Sequence, residues 1–360
     1  MLLQLGRSLP APHREAILSS CKELGYAVRF LDEEQRLLQL EGRGAPGHRA
    51  RLTDLTGVVR VVDKGEPHEL ALRNGDHAED SMIPVGNARF GAGNLSLIAG
   101  PCAVEDEERL EEIARGVLRT GAWLLRAGAF KPRTSPYSFQ GIGVEGLDIL
   151  DRVKASTGIG VVTEVLDPRD VERVNETADM IQVGARNMAN FPLLVELGQL
   201  STPVLLKRGF GATVEELLGA AEYILAEGNR SVILCERGVR GFDSITRHIL
   251  DVGAVAYLKK TTHLPVIVDP SHAAGRADLV RPLARAGIAA GADGLLVEVH
   301  PHPEEVHSDG AQAVSLSSFE RIVEDVTTLA ALDGRRLVRS GLPPSSRMHQ
   351  DSNSPLDRPS

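Results

Sequence analysis

Cysteine is scarce: this 360-residue chain has three, Cys21, Cys102 and Cys235, and they are scattered. That number and spacing exclude a disulfide scaffold. Long apolar runs are missing as well, since none reaches the ~18 residues that span a bilayer. A basic surplus is also absent. With 40 Lys and Arg against 49 Asp and Glu, the formal charge is −9, which argues against a general nucleic-acid binder. The opening Met1-Leu2-Leu3-Gln4-Leu5-Gly6-Arg7 lacks the charged leader and apolar core of a secretory signal. The expectation is a soluble cytoplasmic protein with reduced thiols, bound to neither nucleic acid nor membrane.

What is present is alternation. Residues 1–65 read as a small unit: strand Met1–Leu5, helix Pro12–Leu24, strands Ala27–Leu31 and Leu37–Leu40, helix Ala50–Leu55 and strand Gly57–Asp63. That β-α-β-β-α-β order is the ferredoxin-like pattern. Residues 66–92 read as a linker and N-terminal hairpin: Lys64–Asp80 is charged without clear periodicity, and Met82–Phe90 forms the hairpin. From residue 93 to 335, short apolar strands alternate with amphipathic helices. The strands are Leu95–Ala99, Trp123–Ala127, Gly160–Thr163, Met180–Val183, Val204–Lys207, Val232–Cys235, Pro265–Val268 and Gly294–Val297. The helices are Glu107–Arg119, Val144–Lys154, Pro168–Glu176, Phe191–Leu197, Val214–Leu225, Ser244–Tyr257, Ala277–Ala286 and Leu316–Leu329. Eight serial pairs in about 235 residues predict an α/β fold, a closed (β/α)8 TIM barrel preceded by a ferredoxin-like α+β domain. A doubly wound open sheet fits less well, because no Gly-rich dinucleotide turn is present. Residues 336–360, rich in Ser, Pro and Asp, read as a disordered tail.

A barrel carries its chemistry at the C-terminal ends of its strands, and here those ends are polar. They present Gly100-Pro101-Cys102, Arg126, Glu164, Gln182 with Gly184-Ala185-Arg186, and Lys207-Arg208-Gly209. Further on come Glu236-Arg237-Gly238, Asp269-Pro270-Ser271-His272, Glu298-Val299-His300, and Ser308-Asp309-Gly310 on the last loop. After the second strand, Lys131-Pro132-Arg133-Thr134 holds two cations on a loop stiffened by Pro132, which keeps Lys131 extended. Taken alone, such a loop is more often solvated surface.

Two subsets stand out. Cys102, His272, Glu298 and Asp309 offer a thiolate, an imidazole and two carboxylates, which suits a divalent transition ion. Singly, Cys102 is more often an inert small residue and His272 a hydrogen-bonded turn residue. His300 and His302 compete as ligands, because Glu298 and His300 on an extended segment face the same side. The second subset is cationic: Arg126, Lys131, Arg133, Arg186, Lys207 and Arg237. Six cations at one mouth imply phosphate and carboxylate ligands, unless several pair with Glu164, Glu236 or Asp243.

Together these tags resemble the 3-deoxy-D-arabino-heptulosonate 7-phosphate (DAHP) synthases that open the shikimate pathway. The match is carried by Ala99-Gly100-Pro101-Cys102, Lys131-Pro132-Arg133-Thr134, Gly184-Ala185-Arg186-Asn187, Lys207-Arg208-Gly209, Asp269-Pro270-Ser271-His272 and Glu298–Asp309, in order over roughly residues 80 to 330. The resemblance implies a transferase that condenses phosphoenolpyruvate with erythrose 4-phosphate and releases phosphate. By family likeness Cys102, His272, Glu298 and Asp309 hold one divalent ion (Mn, Fe, Zn or Co). Arg126, Lys131, Gln182, Ala185, Arg186, Lys207 and Arg237 surround phosphoenolpyruvate, while Arg133 and Thr134 reach the sugar phosphate. Lys131, Glu164, His272 and Asp309 are the expected catalytic residues. The branch resembled carries a regulatory N-terminal module that senses tyrosine or phenylalanine, and its members are commonly homotetramers. The nearest alternative is 3-deoxy-D-manno-octulosonate 8-phosphate synthase, which takes arabinose 5-phosphate. There the second-strand segment resembles K-A-N-R-S, so Lys131-Pro132-Arg133-Thr134 favours the four-carbon sugar. A non-catalytic role beside a chorismate mutase partner is a further alternative.

Overall fold

The computed structural model describes residues 1–6, 9–32, 34–42, 48–62, 68–74, 77–132, 137, 139–305 and 310–338. The first strands are β1 (Leu2–Leu5), β2 (Ala27–Phe30), β3 (Leu37–Glu41) and β4 (Val58–Val62), joined through helices α1 (Ala11–Glu23) and α2 (His48–Thr53). They form an antiparallel sheet of order β2-β3-β1-β4, the ferredoxin-like arrangement. Alternate residues Leu3, Leu5, Leu38, Leu40 and Val61 share a core with Ile17, Cys21 and Leu24 of the first helical segment. Burial pushes the Cys21 thiol up to about 11, so this cysteine is a small apolar filler.

The hairpin β5 (Ile83–Val85) and β6 (Ala88–Phe90) leads into eight parallel strands. These are β7 (Asn94–Gly100), β8 (Leu124–Arg126), β9 (Gly160–Val165), β10 (Met180–Val183), β11 (Val204–Lys207), β12 (Val232–Glu236), β13 (Val266–Val268) and β14 (Gly294–Glu298). Pairing of β14 with β7 closes the barrel. The outer helices are α3 (Glu107–Arg119), α4 (Val144–Thr157), α5 (Val171–Thr177), α6 (Phe191–Gly198), α7 (Val214–Ala226) and α8 (Val252–Thr261). A short α9 (Pro270–Ala274), then α10 (Ala277–Ala289) and α11 (Leu316–Leu332), complete the ring.

One side chain per strand fills the barrel interior: Ile98, Leu124, Val162, Met180, Leu205, Ile233, Ile267 and Leu296. The hairpin residues Ile83, Val85, Ala88 and Phe90 pack against that layer and plug one end. The residues two positions further along each strand face the same interior. They are Gly100, Arg126, Glu164, Gln182, Lys207, Cys235, Asp269 and Glu298. A single alternation therefore turns an apolar floor into a polar mouth.

The structure departs from the sequence reading in four places. Residues 244–251, expected to open a helix from Ser244, are held instead as an irregular, bent loop. Val239 bridges Ile249, and the amides of Arg247 and His248 bond the carbonyls of Ala274 and Ala273. Helix α8 begins only after Asp251, whose carboxylate caps the Ala254 amide. The segment Pro168–Glu176 splits into a 3₁₀ turn, Pro168–Asp170, and α5. The linker is not loose, since Leu72 bridges Thr262 and Ala71 is fully buried in the barrel core. Finally, β15 (Arg336–Leu337), placed in the tail from sequence, pairs with β7, and Val338 accepts from the Trp123 indole. Residues 339–360 lie outside the described residues.

Helix α7 also carries the N-terminal unit. Glu222 accepts the amides of Leu70 and Ala71 at 3.1 and 2.9 Å and pairs with Arg60. Gln4 donates to the Ala226 carbonyl at 3.2 Å, and Arg36 lies 3.7 Å from Glu227.

Candidate active site

The polar mouth has a core of donor atoms. Cys102 Sγ and His272 Nε2 are 3.9 Å apart, and His272 Nε2 is 3.9 Å from Glu298 Oε2. All three donor atoms lie within 4.8 Å of one another. A tetrahedral ion with bonds of about 2.0–2.3 Å needs ligand atoms roughly 3.3–3.8 Å apart. A small contraction would close this triangle on an ion, so the thiol, imidazole and carboxylate fit one.

Asp269 sets the imidazole. It stands at the start of α9, where its Oδ1 accepts the His272 amide at 3.0 Å. Its Oδ2 lies 2.8 Å from His272 Nδ1 and 2.5 Å from Lys207 Nζ. Burial alone would raise the Asp269 pKa, but His272, Lys207 and Arg126 outweigh it and hold this carboxyl well below its usual range. Burial pushes His272 down to about 3 against the pull of Asp269, so its ring is neutral near pH 7. A neutral imidazole oriented by a carboxylate through Nδ1 leaves Nε2 as the ligand atom. Glu298 is oriented too: Gln312 Nε2 donates to its Oε2 at 2.7 Å, and the Ser271 hydroxyl accepts its amide at 2.9 Å.

The cations surround this cluster. Arg126 is 3 % exposed, and its Nε is buried without a hydrogen-bond partner. Its Nη2 stands 3.8 Å from Glu298 Oε2. Lys131 Nζ donates to the Cys102 carbonyl at 2.9 Å and contacts the Cys102 sulfur. Lys207 is buried on Asp269, and Arg237 is buried beside His248. Arg186 is exposed, with its guanidinium 5.8 Å from the Phe210 ring centroid. Ala185 and Arg186 form a 3₁₀ turn after β10. The turn borders a groove of about 790 Å³ lined also by Met188, Phe191, Phe210, Tyr223 and His68.

Glu164 and Gln182 complete the wall. Gln182 Nε2 donates to Glu164 Oε2 at 2.9 Å, while Glu164 Oε1 and Gln182 Oε1 are buried without partners. Burial raises the Glu164 pKa, and Lys131, Lys207 and Arg126 pull it back. Gly184 makes room here, because a Cβ at that position would stand 2.0 Å from Glu164 Oε1.

The structure thus brings together Cys102, Arg126, Lys131, Glu164, Gln182, Lys207, Arg237, His272 and Glu298. Arg133, Thr134 and Asp309 lie outside the described residues. His300 does not join the metal cluster: its Nδ1 lies 2.7 Å from the His302 carbonyl, and it faces a small cavity beside Glu105 and Arg109. His302 is exposed beside Glu304. Of the expected counter-charges, Glu164 faces Lys131, Lys207 and Arg126, but Glu236 does not serve the site. Glu236 is occupied by Arg208 at 2.8 Å and by the Gly238 amide, whereas Asp269 and Glu298 face the site cations. Sequence reasoning passed over Asp269, His248 and Gln312 as functional groups. Asp269 was findable, since it lies two residues past Ile267 in the inward phase; His248 sits in a segment whose helical spacing the fold overrides, and Gln312 ends a 3₁₀ turn too short to show a period.

Comparison with known proteins agrees with this geometry. The sequence profile described as the DAHP synthetase I family matches residues 76–331. The chain is 50% identical over 273 residues to the phospho-2-dehydro-3-deoxyheptonate aldolase of Thermotoga maritima, covering 76% of this chain and 80% of that one. The 2-dehydro-3-deoxyphosphooctonate aldolase of Syntrophotalea carbinolica is 30% identical, over 69% of this chain and 96% of that one. The crystal structure of the Thermotoga maritima DAHP synthase superposes with a TM-score of 0.74 at 42% identity, covering 93% of this chain and 98% of that one. A truncated form of the Thermotoga enzyme gives a TM-score of 0.70 at 45% identity, over 76% and 100% of the two chains. Profile, relatives and barrel mouth converge, and the chain belongs to the DAHP synthetase I family.

Proposed function

We propose that the mouth of this barrel condenses phosphoenolpyruvate with D-erythrose 4-phosphate and water, giving DAHP and inorganic phosphate. One observation carries the reading: a thiol–imidazole–carboxylate cluster lies directly against buried Arg126, Lys131 and Lys207. Such a mouth suits a small acceptor with an electrophilic oxygen beside a substrate carrying both carboxylate and phosphate. The identity of 50% to the heptonate enzyme against 30% to the octonate enzyme favours the four-carbon sugar.

Cys102, His272 and Glu298, with Asp309 as fourth ligand, would hold one divalent ion, Mn, Fe, Zn or Co. Bound there, the ion supplies Lewis-acid polarisation of the aldehyde. Arg126, Lys131, Arg186, Lys207 and Arg237 bind phosphoenolpyruvate, with Gln182 and Ala185 in its wall, while Arg133 and Thr134 hold the sugar phosphate. Fixing both anions face to face lets C3 of the enol reach the aldehyde carbon, and orientation supplies much of the rate. Lys131 Nζ, held over Cys102, donates the proton that the new hydroxyl needs. Glu164, with a raised pKa and an unpartnered buried oxygen, positions the water that adds at C2. Phosphate then leaves from C2, which becomes the ketone.

The N-terminal unit would regulate this site in response to tyrosine or phenylalanine, within a cytoplasmic homotetramer. The contact of α7 with that unit at one end, and with the Arg186 groove at the other, supports a coupling. No helix among the described residues is long and apolar enough to cross a membrane.

Phosphate release from phosphoenolpyruvate with erythrose 4-phosphate, and separately with arabinose 5-phosphate, tests the substrate. Preference for the pentose would replace the proposal with the octulosonate reaction. Near-normal turnover by a Lys131→Ala enzyme would remove Lys131 from proton donation.

A further inference from the structure

We propose that His248 is a positioning residue for Arg237, acting through Nδ1 as a neutral hydrogen-bond acceptor. The inference rests on the placement of Arg237 at the phosphoenolpyruvate site. Arg237 follows β12 and is 6 % exposed. Its Nη1 lies 3.0 Å from His248 Nδ1 and 3.5 Å from the Gly238 carbonyl. A guanidinium only donates, so Nδ1 must present its lone pair and the ring proton sits on Nε2. The His272 carbonyl lies 3.3 Å from the same nitrogen, and with this tautomer it is a neighbour, not an acceptor.

The backbone is built for this contact. His248 lies on the loop that replaces the expected helix, and its amide bonds the Ala273 carbonyl at 2.8 Å. Gly238 has φ +92°, and a Cβ there would stand 2.7 Å from His248 Cβ and 3.0 Å from Ala273 Cβ. Only glycine lets the Arg237 turn approach the His248 loop so closely. Phe210 closes the far side, with its ring centroid 5.8 Å from that of His248.

Chemistry explains a neutral partner. Lys207 and Arg126 already face carboxylates, Asp269 and Glu298, which offset part of their charge. A third carboxylate on Arg237 would cancel the charge that an anionic substrate must meet. An imidazole fixes the direction of the guanidinium and leaves its charge available to the ligand.

The test is steady-state kinetics on the metal-loaded full chain with His248→Leu, His248→Asn, His248→Gln, Arg237→Ala and the His248→Leu/Arg237→Ala pair. His248→Leu should raise KM for phosphoenolpyruvate about tenfold, the equivalent of ~1.4 kcal/mol. It should change kcat and the KM for erythrose 4-phosphate less than about threefold, as expected when only ground-state binding is lost. His248→Asn should stay near the parent, because its Oδ1 falls close to Nδ1; His248→Gln, whose acceptor is displaced, should behave like leucine. In the Arg237→Ala background His248→Leu should add nothing. If Arg237→Ala itself leaves KM for phosphoenolpyruvate unchanged, the site placement and the proposal both fail. If Arg237→Ala raises KM but His248→Leu does not, or its effect persists without Arg237, the proposal alone is overturned. Should His248→Leu not fold, the Asn and Gln enzymes decide, and equal behaviour of those two refutes a positioned acceptor.

Discussion

Replacing Asp269 by Asn tests the centre of the site, because one carboxylate there serves three partners. It accepts the His272 amide at 3.0 Å, faces His272 Nδ1 at 2.8 Å and pairs with Lys207 Nζ at 2.5 Å. Asp269 is fully buried and the Lys207 side chain is 5% exposed, so water cannot take over. An asparagine keeps the shape and one acceptor, and it strands a buried ammonium. Breaking a buried pair in this way costs about 3–5 kcal/mol. The loss should lower the urea midpoint of the chelated protein by about 1 M or more. Trp123, the single tryptophan, sits beside the start of β8 and reports barrel unfolding by fluorescence. Metal affinity should also fall about 10–100-fold, since His272 loses the partner that orients it. The pH dependence follows from the direction of the shift. The folded Asp269 carboxyl titrates well below the unfolded value, so its contribution is complete above the unfolded pKa and is lost as pH falls through the folded one. His272 acts in the same direction. Its folded pKa of about 3 lies below the unfolded 6.5, so the unfolded chain binds the extra proton and stability declines as pH drops from 6.5 toward 3. The Asn variant should lose the acid dependence that belongs to Asp269. A variant within about 1 kcal/mol of the parent, with unchanged metal binding, would refute the reasoning.

Four further outcomes are expected. Exhaustive chelation should abolish phosphate release and added divalent ion should restore it, while Cys102→Ala should bind the ion at least tenfold more weakly by equilibrium dialysis. Gly184→Ala should lower kcat at least tenfold with little loss of fold, because the new Cβ displaces Glu164; crystallography with the oxygen unmoved would contradict this. A chain begun at His68 should melt above one begun at Ser81, since only the first keeps buried Ala71 and the Leu72–Thr262 bridge on the barrel. Tyrosine inhibition present in the full chain and absent from the His68 form would support a regulatory N-terminal unit, and unchanged inhibition would reject it.

The barrel was legible because its two periods are clean. Strands of three to seven residues alternate with helices whose apolar stripes recur at helical spacing, and most boundaries fell within two or three residues. The site was legible for a related reason: an inward apolar residue followed two places later by a charged one marks a strand running from floor to mouth. Leu124 and Arg126, Val162 and Glu164, and Leu205 and Lys207 all follow that rule. Legibility failed where tertiary contact overrides local pattern. Residues 244–251 have helical spacing, yet backbone bonds to Ala273 and Ala274 hold them as a bent loop, and that placement is what carries His248 to Arg237.

Charge pairing was the other gap, because sequence lists charges without saying which of them share a buried oxygen. Glu236 and Asp269 both end their strands, and strand phase separates them, Asp269 two residues past inward Ile267 and Glu236 three past inward Ile233, but phase does not name their partners. The barrel does. Glu236 is taken up by Arg208, which also reaches Asp251 at 3.1 Å before α8 and so ties one loop to the next. Asp269 turns inward to Lys207 and His272. The first pair is a strut and the second is part of the site. Alanine at Arg208 should therefore lower stability and leave metal affinity intact, whereas asparagine at Asp269 should lower both. Loss of metal affinity in the Arg208 variant at temperatures where it remains folded would erase that distinction.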